Sequence, residues 1–166
     1  MKNLHALALS IALLVALWVY LSIGIPALHF SPWIGFVAWA VFFAAGGGTA
    51  AVAKTLPAGI AGAALTALTM LAVARFGGGL TALLILVPIL AFVLVAMADL
   101  PPLSYTPAAF LGAAAFFGTS GDPAPSLLVV CISWIAGLAL GYASEWLGRK
   151  LARAEPPAGA RAAVVK

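Results

Sequence analysis

The sequence predicts an all-α protein built into a membrane: a polytopic helical bundle of six hydrophobic segments in two pseudo-repeats of three, with segments two and five short or broken. Three observations carry that expectation. Hydrophobic residues make up 65% of the 166 and charged residues 7%, against roughly half and a quarter in a soluble domain. That much apolar surface cannot be enclosed in a water-soluble globule, so lipid must solvate the rest. The run from Ala6 to Pro26 is uninterrupted by charge and long enough to cross a hydrocarbon core of about 30 Å. Finally, the stretch Trp33 to Gly48, ending Phe42-Phe43 and then Gly46-Gly47-Gly48, recurs 74 residues later as Pro107 to Asp122, with Phe116-Phe117 and then Gly118, Gly121 and Asp122.

The first segment follows a short polar start and places Trp18 and Tyr20 toward its far end, where interfacial aromatics are common. Its length is that of a span; a cleaved secretory leader has a shorter core and a polar cleavage region. The second segment runs from Trp33 to about Ala45 and stops at the three glycines. The third runs from about Val52 to Ala74, with Lys54 in its first turn and Arg75 just past its end, and Gly77-Gly78-Gly79 closes the first repeat, about residues 6–76.

The second repeat covers about 80–150. Its first segment, Leu80 to Ala98, carries Pro88, which removes a backbone donor and should kink a helix. The next, Pro107 to Phe117, has about 11 residues and rises only about 16 Å, half the hydrocarbon thickness. The last runs from about Ser126 to Leu147. In this alignment Ala63-xxx-Ala67 falls on Gly137-xxx-Gly141 and Arg75 on Arg149, two small-residue faces that allow helix backbones to approach closely. The tail Ala154 to Lys166 has no apolar period and is expected to be a disordered cytoplasmic segment.

Charge fixes an expected orientation. Arg149, Lys150, Arg153, Arg161 and Lys166 cluster at the C-terminus, the placement of a topogenic signal. A nucleic-acid face spreads its cations among aromatics. Both termini are therefore expected in the cytoplasm. If all six segments cross, Lys54 lies inside and Arg75 outside, and the two halves are inverted; if the Phe-Phe segments re-enter, those positions exchange and the halves are parallel. The count of inside cations is the same in both arrangements.

No catalytic set is present: there is no nucleophile elbow, metalloprotease helix or phosphate-binding loop. With one cysteine, Cys131, and two separated histidines, His5 and His29, neither an internal disulfide nor a metal site is expected, and no cofactor is implied. The sharper candidates are Phe42, Phe43, Phe116 and Phe117. Consecutive helical residues point about 100° apart, so one ring of each pair can pack on a neighbouring helix while the other closes a passage; ordinary aromatic packing is the competing reading. Gly46, Gly47, Gly48, Gly112, Gly121 and Asp122 are candidates for helix breaks or the lining of a path. Asp99, Asp122, Glu145, Lys54 and Arg75 sit near segment ends, as solvated caps and anchors do.

Trp33-x-Gly35-Phe36 leading to Phe42-Phe43 and a Gly-rich turn, then Pro107-x-x-Phe110-x-Gly112-Ala113, Phe116, Gly121-Asp122 and Gly137-x-x-x-Gly141-Tyr142, resemble a bacterial inner-membrane family of unknown function typified by YcdZ. The resemblance covers most of the hydrophobic body and implies a multi-pass inner-membrane protein. It supplies no substrate and no catalytic residue, and this chain departs from strict equivalence of its halves, having no acid in the first break where Asp122 stands in the second. Two functions follow as expectations: a gradient-driven channel or transporter for a small neutral or weakly polar solute, or a structural or regulatory subunit that binds a partner through small-residue helix faces. The partners expected are the lipid bilayer and, on the first reading, a small-solute permeant; a homo-oligomer is compatible with six short segments that enclose little volume, and nucleic acid is not expected.

Overall fold

The computed structural model describes residues 3–119 and 122–152, and every regular element among them is helical. The helices are α1 (Asn3–Val19), continued by a π-turn over Tyr20–Gly24; α2 (Pro32–Ala44); α3 (Gly48–Arg75); α4 (Leu80–Ala96), continued by a 3₁₀ turn over Met97–Asp99; α5 (Thr106–Phe117); and α6 (Pro123–Leu151). Four stretches are long and apolar enough to cross a membrane: Asn3–Gly24, Gly48–Arg75, Leu80–Asp99 and Pro123–Leu151. With 13 and 12 residues, α2 and α5 rise about 20 and 18 Å and fall short of a hydrocarbon core by themselves. The fold is that of a helical membrane protein. The proposed tail, Ala154 to Lys166, lies outside the described residues.

Local chemistry sets the ends. Gly46, Gly47 and Gly48 have φ of 97°, 72° and 67°, left-handed values open to glycine at little cost. They reverse the chain within three residues, so α3 starts at Gly48, four residues before the apolar pattern suggests. Likewise α6 starts at Pro123, before the expected Ser126, because proline at the first helical position loses a donor that has no helical acceptor there. Pro57 and Pro88 lie inside α3 and α4, which stay helical on both sides of each.

Inter-helix contacts fix the directions. Ser10 on α1 donates to the carbonyl of Ser144 on α6 at 2.7 Å, and the Gly48 N–H at the start of α3 donates to Glu145 Oε2 at 2.7 Å. The beginnings of α1 and α3 thus share one end of the bundle with the end of α6. Along α2, Ser31 meets Ser133, Gly35 meets Gly137 and Phe42 meets Gly141, so α2 runs parallel to α6. Lys54 reaches the ring of Tyr105, and Gly62 meets Ala109, so α5 runs parallel to α3. Trp134 of α6 binds the Thr55 carbonyl near the start of α3, and α3 and α6 are antiparallel.

The most extensive packing follows neither chain order nor the two sequence halves. The short helix α2 lies on α6, the long helix of the other half, and α5 lies on α3. With α1 packed on α6 and α4 on α3, the molecule divides into two three-helix bodies, α1-α2-α6 and α3-α4-α5. They meet along α3 and α6 and where α2 crosses α5.

Burial recurs between the bodies. The buried residues of α2, Ile34, Gly35, Ala38, Trp39, Val41 and Phe42, stand 74 positions before the buried residues of α5, Ala108, Ala109, Gly112, Ala113, Ala115 and Phe116. In the long helices the offset is 75. Every buried α3 residue except Ala67 then falls on a buried α6 residue, with Gly62 and Thr66 opposite Gly137 and Gly141. At that offset Ala63 falls on Leu138 and Ala67 on Tyr142, so the burial pattern does not place Ala63 and Ala67 opposite that glycine pair.

Replacing Gly112 by Ala should destabilise the bundle by about 1–3 kcal/mol, because a Cβ there falls inside van der Waals contact of the Gly59 backbone. Gly79→Ala, where nothing lies within 4 Å and φ is −87°, is the matched control. Thermal aggregation of the two variants in one detergent, followed by size-exclusion chromatography, should show an earlier transition for Gly112→Ala alone.

Candidate functional site

The residues singled out by the sequence converge on the middle of the bundle, where α2 and α5 lie antiparallel between the two long helices. α2 begins with Pro32 at its first position and α5 carries Pro107 at its second, so each opens on a preset φ. Glycine and alanine bring the backbones together. A Cβ added at Gly137 would collide with the Gly35 carbonyl, at Gly62 with the Ala109 carbonyl, and at Gly112 with the Gly59 carbonyl. Gly112 is therefore a contact point in the interior of α5 and not a helix break. Ala63, Ala67, Gly137 and Gly141 are all buried within the bundle.

Tryptophans complete these contacts. The ring of Trp18 covers Gly35, Trp134 covers Gly59 and Trp33 covers Gly118, each pair joining different helices. Each buried indole N–H also has an acceptor on another segment: Trp18 donates to the Pro32 carbonyl at 3.0 Å, Trp39 to Ser144 Oγ at 3.1 Å and Trp134 to the Thr55 carbonyl at 3.3 Å. In a lipid-solvated protein an unpaired donor has no water to turn to. Among the described residues no buried side-chain nitrogen or oxygen lacks a partner.

The two Phe-Phe pairs have the same split orientation. Phe42 and Phe116 are 0% and 4% exposed and sit in the central core, Phe42 against Gly141. Phe43 is half-buried, edge-on to Phe42 with centroids 5.2 Å apart, and Phe117 is 46% exposed. Phe36 and Phe110, 40% and 41% exposed, extend the correspondence to the outer face. Phe42 fills space beside α6, and Phe116 belongs to the same core cluster.

The breaks lie at the ends of the bundle, not at its centre. Gly46, Gly47 and Gly48 form the turn beside Glu145; Asp122 is exposed just before Pro123, where its charge faces the positive end of the α6 dipole. Gly121 lies outside the described residues. Glu145 has more to do than a solvated residue at a helix end. From α6 it accepts the Gly48 N–H, holds an ion pair with Arg149, and approaches Gly47 so closely that a Cβ there would lie 2.9 Å from Oε2. It caps α3 from the other body. Their separation of 97 positions in sequence hides that role from local pattern reading. The described residues bring together no group of three or more His, Cys, Asp or Glu side chains that could hold a metal ion.

A family model described as a protein of unknown function (DUF1097) matches residues 8–149, from the first turns of α1 to the last turn of α6, and the chain belongs to that family. It is similar to the uncharacterized protein YahC of Escherichia coli (strain K12), 31% identical over 163 residues that cover 93% of this chain and 96% of YahC. No solved structure matches the chain significantly.

Trp134→Phe keeps most of the ring but removes the bond to Thr55, and should cost about 1 kcal/mol. Glu145→Gln keeps an acceptor while losing the charge at the start of α3, and should cost less than Glu145→Ala, which removes the acceptor as well. Thermal transitions in detergent, compared with wild type, test both orderings.

Proposed function

We propose that this DUF1097 protein is a multi-pass protein of the bacterial inner membrane that carries a small neutral or weakly polar solute down its gradient, without enzymatic activity or a cofactor. The observation that carries the reading is the division into two three-helix bodies of opposed direction with matching burial, meeting along α3 and α6 and where the two short helices cross. Inverted repeats joined at short or broken helices are a recurrent transporter design. On this reading the chain is a duplication of about 6–76 and 80–150, all six segments with their connecting turns cross, and transport follows motion of one body against the other along α3 and α6.

Three of the four Lys and Arg residues that the structure describes, Lys54, Arg149 and Lys150, lie at the end that holds the start of α1, whereas Arg75 lies at the other. Under the positive-inside rule this supports cytoplasmic termini. Kinship with YcdZ belongs to the same reading, as does self-association in the bilayer. The inward rings of Phe42 and Phe116 serve as two constrictions, one toward each end of the bundle, with Phe43 and Phe117 supporting them from outside. A specific observation favours the second reading, a structural or regulatory subunit: the centre is tightly packed, with glycine contacts and satisfied hydroxyls where a permanent pore would need room.

Stopped-flow swelling of proteoliposomes in gradients of urea or glycerol separates the two. The transport reading expects faster swelling than in protein-free vesicles, a further increase for Phe42→Ala combined with Phe116→Ala, and no change for Phe117→Ala. Folded wild-type protein that leaves swelling at the protein-free rate contradicts transport and leaves the subunit reading.

A further inference from the structure

The line where the two bodies meet opens, at the end that holds Glu145, into a groove with two adjoining parts. The inner part, about 470 Å³, is walled by Val52, Ala53 and Leu56 of α3 and by Ile135, Leu138 and Ala139 of α6. The outer part, about 400 Å³, is bordered by Gly48, Glu145, Trp146, Arg149 and Lys150. Thr49 and Tyr142 line both. The result is one amphipathic groove, an apolar trough with a charged mouth, of a size ordinary for ligand sites.

Two cations and one carboxylate stand at the mouth, and the carboxylate is already engaged. Glu145 accepts from Gly48 and pairs with Arg149. A guanidinium has five donors, so Arg149, whose side chain is largely exposed, keeps donors for a second anion. Lys150 Nζ lies 4.0 Å from the Trp146 ring centroid, held over an exposed aromatic in the last turns of α6. Basic pockets between membrane helices, with interfacial aromatics beside them, favour anionic headgroups. A soluble anion would satisfy the mouth and leave the trough unfilled.

We propose that this groove is a binding site for an anionic phospholipid of the surrounding bilayer. One acyl chain lies along the trough between α3 and α6, and the phosphate sits at Arg149 and Lys150. The exposed Tyr142 stands at the junction, where a phenol hydroxyl can donate to the glycerol ester region. Because the trough is walled by one helix from each body, a bound lipid touches both sides of the line where they meet. This inference needs only the membrane setting and does not depend on transport.

The test is native mass spectrometry of the purified, delipidated full chain titrated in detergent with phosphatidylglycerol and, separately, phosphatidylcholine. Wild type should retain phosphatidylglycerol about tenfold better, the scale expected from one to two surface cations. Arg149→Gln with Lys150→Gln should abolish that preference, and Ala139→Phe, which fills the trough from an exposed position, should lower retention of phosphatidylglycerol with the cations intact. Equal retention of both lipids by wild type overturns the proposal, as does unchanged retention in Ala139→Phe. Displacement of the lipid by inorganic phosphate alone also overturns it, since that marks a simple anion site. Size-exclusion profiles establish that each variant is folded, and either variant alone tests the site.

Discussion

Lipid gives helices no hydrophobic reason to associate, since a neighbouring acyl chain is as apolar as a leucine; association must come from close packing and satisfied polar groups. Here it comes from the places where backbones touch with no side chain between them: Gly35 with Gly137, and Gly59 and Gly62 with Gly112 and Ala109. These contacts seat α2 on α6 and α5 on α3. The partition of the bundle into two bodies and the course of the line between them follow from that seating. The glycines are required here by the space available, in contrast to Gly46 to Gly48, where the backbone angle requires them.

Polar groups reinforce the same partition. Trp18 and Trp39 tie α2 to its own body through Pro32 and Ser144, while Trp134 and Glu145 reach across to Thr55 and Gly48 of the other. The buried hydroxyls of Thr55 and Thr66 turn back on carbonyls four residues earlier in their own helix. The interior is thus polar at chosen points, with its donors committed to holding helices together. The same contacts leave the centre of the bundle closely packed.

Much of this outline was legible in the residues. The glycine and proline clusters mark the helix ends to within a few positions, and the repeated Phe-Phe pairs carry the inward and outward faces of α2 and α5, since adjacent helical side chains diverge by about 100°. Which helix packs on which was not legible. In a chain this apolar, a lipid-facing leucine such as Leu84 and a core leucine such as Leu138 look alike, so hydrophobic contrast does not reveal the partner. The one-residue frame shift between the short and long helices also hid the match of Gly62 with Gly137, and the cap at Glu145 joins residues that no local motif connects.

If the two three-segment halves enter the membrane in opposite senses with cytoplasmic termini, Lys54 faces the cytoplasm and Arg75 the opposite side. In a Cys131→Ser background, Lys54→Cys and Arg75→Cys are introduced separately and intact cells are treated with a membrane-impermeant thiol reagent. Labelling at position 75 and not at position 54 is the result expected of inverted halves with cytoplasmic termini. Labelling at position 54 and not at position 75 would contradict that arrangement.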